Sequence, residues 1–209
     1  AGDFLFAQSS WHLANLDNVD VVKLLSRVIM DLAEGEIKQN LNRYDSGQTF
    51  SKYINKSYCK TASLIANSCK AAGVLSDINS DKLDMLYEFG KNIGLAFQVV
   101  DDILDFTGND KQLGKPAVSD LASGYLTAPV LYALEENKNL SVLIDRELAE
   151  KDDLNNALEI IMSSGAIKKS RIMAEDFATH SKDAILWLPE SQYKRALMAL
   201  PEFVLSRLY

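Results

Sequence analysis

The sequence has 209 residues, of which 47% are hydrophobic, enough to bury one substantial core. Its 29 acidic residues outnumber its 22 basic residues, and the net charge of -7 argues against a nucleic-acid partner. Two cysteines without a CxxC spacing indicate neither a zinc site nor a disulfide framework, and no apolar run reaches the roughly 18 residues of a membrane span.

Apolar residues recur at three- and four-residue spacing nearly throughout, and no strand-type alternation is present. The predicted fold class is therefore all-α, a helical bundle with residues 1–209 in one domain. The opening "AGDFLFAQSSWHLANL" has the pattern of a helix without an N-cap or an initial Met, so we expect the chain to lack the first helices of a longer domain.

The next elements follow from local signals. After a polar break at 17–20, a long amphipathic helix is predicted over 21–44 and another over 51–73, with Gly73 as its C-cap. A further helix is predicted from an N-cap at Ser80 or Asp81 to Thr107. Residues 108–120 lack apolar periodicity and are the predicted functional loop. The remaining predicted helices cover 127–137, 140–163 with a break near Glu150, 166–188 and 190–207.

Three aspartates interrupt the apolar run "FQVVDDILDF" at 97–106. On a helical wheel with Asp101 at zero, Asp105 lies at about 40°, Gln98 at about 60° and Asp102 at about 100°. Apolar side chains occupy most of the remaining circumference, which is typical of a buried helix. The polar stripe should therefore face an internal cavity, a metal ion or a partner, although an ordinary solvated acidic face is the simpler alternative.

Carboxylates enclosed in a cavity about 6 Å apart would repel one another by roughly 2–3 kcal/mol per pair at an effective dielectric near 20. A bound cation would remove that cost. Oxygen ligands on one helix favour Mg²⁺, which shares its coordination shell with water and phosphates. Lys60 with Thr61, and Lys115 in the predicted loop, could hold phosphate oxygens, so the pattern favours a metal-diphosphate site.

Two segments carry a family resemblance. "GLAFQVVDDILDFTGNDKQLGKPAVSDL" resembles the second aspartate-rich motif and following loop of the trans-isoprenyl diphosphate (polyprenyl) synthases, and "YCKTASLIANSCKAAG" resembles their Lys-Thr helix. The similarity extends over all 209 residues. "LGKPAVSDLASGYLTAPVLYALEE" and the "SRLY" end are most similar to the long-chain branch of cyanobacteria, algae and plant plastids, which makes solanesyl-type chains for plastoquinone.

The resemblance implies an all-α prenyltransferase that joins isopentenyl diphosphate to an allylic prenyl diphosphate. It implies that Asp101 and Asp105 coordinate Mg²⁺, and that Asp102 acts through water or at the edge of the shell. The substrate-side residues it implies are Lys60 and Lys115 on the diphosphate, and Thr61, Gln98 and Phe97 beside the reacting carbons.

Two departures from the family pattern stand out. The first DDxxD motif, the Arg-Arg pair and the isopentenyl diphosphate segment are not in this sequence, so we expect this polypeptide alone not to turn over substrate. Tyr125 stands where much of the family has a lysine. A noncatalytic or regulatory subunit of a heteromeric synthase is the alternative function. A terpene cyclase is disfavoured because "DDLNNALEI" does not match the second metal motif of that class.

The resemblance also implies a homodimer, and a location in the plastid stroma or the cytoplasm of a photosynthetic bacterium. Peripheral membrane contact is left open. Glu36 and Gln39, in "AEGEIKQ", are interpreted as solvent-facing or helix-packing residues. Gly90 and Gly94 lie on the same face of the predicted helix as Asp101, closer to its N-terminus. The hypothesis is that they line a product tunnel, with close helix packing as the alternative.

Overall fold

The computed structural model describes residues 1–108 and 118–208, and within these ranges its regular structure is helical without a strand. The helices, in chain order, are α1 Gly2–Ala14, α2 Val19–Leu41, α3 Phe50–Ser57, α4 Ser63–Leu75, α5 Ser80–Thr107, α6 Ser119–Ala122, α7 Ala128–Glu136, α8 Lys138–Asp145, α9 Asp153–Ser163, α10 Ala166–Ala184 and α11 Gln192–Ser206. A π-helical turn, Tyr58–Ala62, joins α3 to α4. The all-α prediction is confirmed.

Helix α5 lies at the centre of the bundle. It packs against α4 and α10, and α11 and the π-helical turn also contact it. Its apolar side chains between 95 and 103 are buried on several sides, since Leu95, Val99, Val100 and Ile103 are at most 1% exposed. This is the environment that a helix with a nearly continuous apolar circumference requires. The three aspartates therefore lie on a rigid, centrally packed helix.

Two glycines bring α5 close to its neighbours. A Cβ on Gly94 would lie 2.5 Å from the Cα of Ala62, and a Cβ on Gly90 would lie 2.6 Å from the carbonyl oxygen of Ile65. Both distances are far below van der Waals contact, so the absent side chains permit close backbone packing. The hypothesis that these glycines line a product tunnel is wrong, because backbone fills the space beside them.

The second and third predicted helices differ from the observed ones at their ends. Helix α2 begins at Val19 because the Asn18 side chain caps it, accepting hydrogen bonds from two backbone N–H groups at 3.1 Å. The single helix predicted over 51–73 is α3, the π-helical turn and α4. Gly73 does not end α4: a Cβ there would lie 2.6 Å from Cδ2 of Leu83, so this glycine serves helix packing.

Farther along the chain, local capping again moves the boundaries. Asn79, rather than Ser80 or Asp81, is the N-cap of α5. The predicted break near Glu150 is confirmed, because α8 ends at Asp145 and α9 starts at Asp153. Most of the predicted functional loop, residues 109–117, lies outside the described residues. The last two predicted helices are shorter than expected and correspond to α10 and α11.

Helix α1 differs from the rest of the bundle in its exposure. It buries none of its residues, and Phe4, Phe6 and Trp11 are 57–69% exposed. In the described ranges, every helix is too short or too polar to cross a bilayer.

Candidate active site

A cleft opens where α5 passes the π-helical turn and the segment after α6. Its volume is about 220 Å³, and its walls include Lys60, Gln98, Asp101, Asp102 and Tyr125. Four of these five residues were singled out from the sequence as site residues. The structure thus brings the Lys-Thr segment and the aspartate helix to one place, although they are separated by about forty positions in the chain.

A chain of hydrogen bonds fixes the floor of the cleft. Thr61 Oγ1 donates to Oε1 of Gln98 at 2.7 Å, and Nε2 of Gln98 donates to Oδ1 of Asp102 at 2.8 Å. The second carboxylate oxygen, Oδ2, accepts from the Tyr53 hydroxyl at 2.6 Å. Each side chain therefore holds the next in a single orientation, and Asp102 is the acceptor on which the whole chain ends.

Burial determines the protonation of this acceptor. Asp102 is 2% exposed, and desolvation raises the pKa of its carboxyl group to about 6, although Lys56 and the Tyr53 and Gln98 hydrogen bonds favour the charged form. The pKa of Tyr53 is raised well above its ordinary value, first by burial and then by the charge of Asp102. Tyr53 therefore remains a hydrogen-bond donor to the carboxylate at physiological pH.

Asp101 has a different environment, at the open side of the same helix. Nη2 of Arg207, beyond the end of α11, donates to its Oδ1 at 2.9 Å. The guanidinium carbon lies 4.6 Å from the ring centroid of Phe97, which is 38% exposed. Nη1 of Arg207 is buried without a hydrogen-bond partner among the described residues. Sequence reasoning missed Arg207, and an arginine 106 positions after Asp101 carries no local signal of this contact.

Asp105 is fully buried one turn after Asp101. One of its oxygens accepts from Oγ of Ser119 and the other from the backbone N–H of Asp120, both at 3.2 Å. It therefore links α5 to the start of α6. Its assignment as a metal ligand remains a prediction. Lys115, the other residue predicted beyond α5, lies outside the described residues.

Lys60 is held by α2. Its Nζ forms an ion pair with Glu36 and donates to Oε1 of Gln39, both at 2.8 Å. The interpretation of Glu36 and Gln39 as solvent-facing or helix-packing residues agrees with the structure, since Glu36 is exposed and both side chains link α2 to Lys60. Their place in "AEGEIKQ", a segment that resembles the family, was the available signal.

The residues present fit a magnesium ion that arrives together with a diphosphate. Asp101 lines the cleft and can offer an oxygen directly, whereas both oxygens of Asp102 already accept hydrogen bonds and suit contact through water. In the described part of the chain, no three potential ligand side chains converge into a ready-made metal site. Mg²⁺ retains waters and takes ligands from substrate phosphates, so the oxygens of Asp101 and of a diphosphate would hold it together.

Comparison with known proteins identifies the class. The family model described as "Polyprenyl synthetase" matches residues 1–161. The chain is 56% identical over 209 residues to a prenyl transferase of Synechocystis, covering all of this chain and 65% of that protein. It is 48% identical over 208 residues to the chloroplastic solanesyl diphosphate synthase 2 of Arabidopsis thaliana, covering 100% of this chain and 50% of that protein.

A solved structure agrees with the sequence matches. The polyprenyl synthase of Caulobacter crescentus, crystallised with calcium and isoprenyl diphosphate, superposes with a TM-score of 0.90 at 31% identity, covering 100% of this chain and 65% of that one. The chain belongs to the polyprenyl synthetase family. It spans about two-thirds or less of the length of these relatives.

Proposed function

We propose that the full-length protein is a long-chain prenyltransferase that condenses isopentenyl diphosphate with an allylic diphosphate. The observation that carries this proposal is the cleft in which Lys60, Gln98 and Asp101 meet, on a chain of the polyprenyl synthetase family. Lys60 would bind the allylic diphosphate, and Asp101 would hold Mg²⁺ with Asp102 in support. The role of Asp105 as a further ligand, and that of Lys115 as a second phosphate-binding lysine, are part of the same proposal.

The chemistry follows from charge. As the bond between the allylic carbon and the diphosphate breaks, negative charge develops on the departing oxygens. Bound Mg²⁺ would neutralise that charge as a Lewis acid. Lys60 would add a charge-assisted hydrogen bond, while Thr61, Gln98 and Phe97 would lie beside the allylic carbons. The hydrogen-bonded chain from Thr61 to Asp102 keeps the Gln98 amide fixed in the cleft wall, so no reorientation is required during the reaction.

The relatives named solanesyl diphosphate synthase support a solanesyl-type product. Their chloroplastic names, together with the Synechocystis relative, support a location in the plastid stroma or in the cytoplasm of a photosynthetic bacterium. We further propose that activity requires the first aspartate-rich motif, which this sequence does not contain.

A homodimer is the proposed assembly, and the exposed apolar side chains of α1 supply a surface for it. Phe4 and Trp11 are each more than 60% exposed, and a second copy would remove them from water. Sedimentation equilibrium of the full-length protein tests this: the wild type should sediment as a dimer and a Phe4→Ser/Trp11→Ser double variant should dissociate. A monomeric wild type would contradict the assembly.

Product analysis tests the function. The full-length protein is incubated with Mg²⁺, farnesyl or geranylgeranyl diphosphate and labelled isopentenyl diphosphate, and the products are separated by chain length. A long polyprenyl diphosphate is expected. If the full-length protein makes no product, the noncatalytic or regulatory subunit is the better account.

A further inference from the structure

Lys56 lies on the same cleft wall as Lys60, one helical turn earlier in the chain. It lines the cleft together with Lys60 and Asp102, and its ammonium lies 5.3 Å from the ring centroid of Tyr53. The hydroxyl of that ring is the one that donates to Asp102. Lys56 is therefore part of the cleft, although the sequence pattern gave it no role.

The surroundings of Lys56 differ from those of the neighbouring lysines. Lys52, one turn earlier on α3, is exposed and pairs with Asp45 at 3.4 Å. Lys60 pairs with Glu36 at 2.8 Å. Lys56 is partly buried, and within residues 1–108 and 118–208 no carboxylate oxygen pairs with its ammonium inside 4 Å. Among the described residues, the ammonium of Lys56 contacts the face of the Tyr53 ring and has no carboxylate within ion-pair distance.

An ammonium in this position is poorly solvated. Burial lowers the pKa of Lys56, while the negative charges of Asp102 and Asp120 act in the opposite direction. A partly desolvated cation that lacks a direct ion pair loses hydration without full compensation. An anion bound in the cleft would supply the missing partner, and it would do so in a medium less polar than water, where the attraction is stronger.

We propose that Lys56 is a further diphosphate-binding residue of this cleft, acting beside Lys60. The proposal rests on the proposed function, because it assumes that the cleft receives a diphosphate. Lys56 contributes a charge-assisted hydrogen bond to a phosphate oxygen, and the Tyr53 ring keeps its ammonium at the cleft.

Binding of inorganic pyrophosphate in the presence of Mg²⁺, measured by titration calorimetry on the full-length protein, tests this role. The variants are Lys56→Gln, Lys56→Arg, Lys60→Gln and the matched control Lys52→Gln. Loss of one charge-assisted hydrogen bond should weaken binding by about tenfold or more in Lys56→Gln. Lys56→Arg should recover most of that loss, and Lys52→Gln should bind like the wild type.

A second readout separates phosphate binding from a purely structural role. Mn²⁺ affinity without pyrophosphate, measured by electron paramagnetic resonance, should stay the same or become tighter in Lys56→Gln, because a positive charge near Asp102 has been removed. Pyrophosphate and Mn²⁺ affinities that fall in parallel would overturn the assignment, since general disruption of the cleft lowers both.

The remaining outcomes are distinct. If Lys60→Gln binds pyrophosphate more weakly than the wild type but Lys56→Gln binds it like Lys52→Gln, the role of Lys56 is refuted and the proposed function stands. If the wild type does not bind magnesium pyrophosphate at all, the proposed function fails and the role of Lys56 fails with it.

Discussion

Replacing Asp102 by Asn should change how the stability of the metal-free protein depends on pH. Asp102 is 2% exposed, and burial raises the pKa of its carboxyl group from 3.8 to about 6. The folded state therefore binds a proton more tightly than the unfolded chain. Stability is lost as pH rises between about 4 and 6, and the full cost of ionising this buried group is present above that window.

The size of the effect follows from the shift. Raising the pKa of Asp102 by about two units changes the free energy of unfolding by ~3 kcal/mol between the protein with this carboxyl group protonated and the protein with it ionised. At pH 5 the folded carboxyl group is mostly protonated, whereas at pH 8 it is ionised, so about half of this difference, roughly 1–2 kcal/mol, falls between the two conditions. An amide at position 102 cannot ionise. Its oxygen can accept from Nε2 of Gln98, and its NH2 group can donate to the hydroxyl oxygen of Tyr53, which reverses the direction of that hydrogen bond.

Urea unfolding of the full-length protein with a chelator, at one protein concentration and at pH 5 and pH 8, measures this difference. The free energy of unfolding of Asp102→Asn minus that of the wild type should be higher at pH 8 than at pH 5 by roughly 1–2 kcal/mol. Asp145→Asn, at an exposed position of α8, is the control and should show almost no such change. Equal pH dependence in the wild type and Asp102→Asn would refute the view that the cleft contains a desolvated carboxylate.

Two further substitutions test other contacts. Gly94→Ala would place a Cβ 2.5 Å from the Cα of Ala62 and should lower the free energy of unfolding by about 1–3 kcal/mol. The control Gly2→Ala has open space around the added Cβ and should leave the stability unchanged. Equal melting temperatures for the two variants would show that α5 and the π-helical turn are not in close contact. Arg207→Gln removes the partner of Asp101, and since the pair is partly exposed, Mn²⁺ affinity should rise by up to about fivefold. An unchanged or weaker affinity would mean that Arg207 does not compete with the cation.

Helix periodicity predicted much of the architecture because the helices are amphipathic or buried along their whole length. It could not predict the π-helical turn at Tyr58–Ala62, which has the same apolar spacing as the helices on either side. Helix starts were misplaced by one or two residues where Asn18 and Asn79 act as caps. Asn18 lies three residues before Val21, from which the helix was predicted, and Asn79 lies one or two residues before the predicted caps Ser80 and Asp81.

The wheel of α5 placed Gln98, Asp101, Asp102 and Asp105 on one stripe but could not predict how deeply each is buried; the structure puts the first three at the cleft. Asp102 and Asp105 are buried and Asp101 is exposed, and their partners Tyr53, Ser119 and Arg207 lie far away in sequence. Such long-range contacts are set by how the helices pack, and one helix cannot reveal them. The family resemblance located Lys60 and Thr61, whereas Lys56 became visible only in the cleft.

The most direct test of the central claim is a crystal structure of the full-length protein with Mg²⁺ and a nonreactive thio analogue of an allylic diphosphate. We expect the diphosphate between Lys60 and α5, with an oxygen of Asp101 bound to a metal ion and Arg207 displaced from it. A diphosphate bound elsewhere, with the contact between Arg207 and Asp101 intact, would contradict the account.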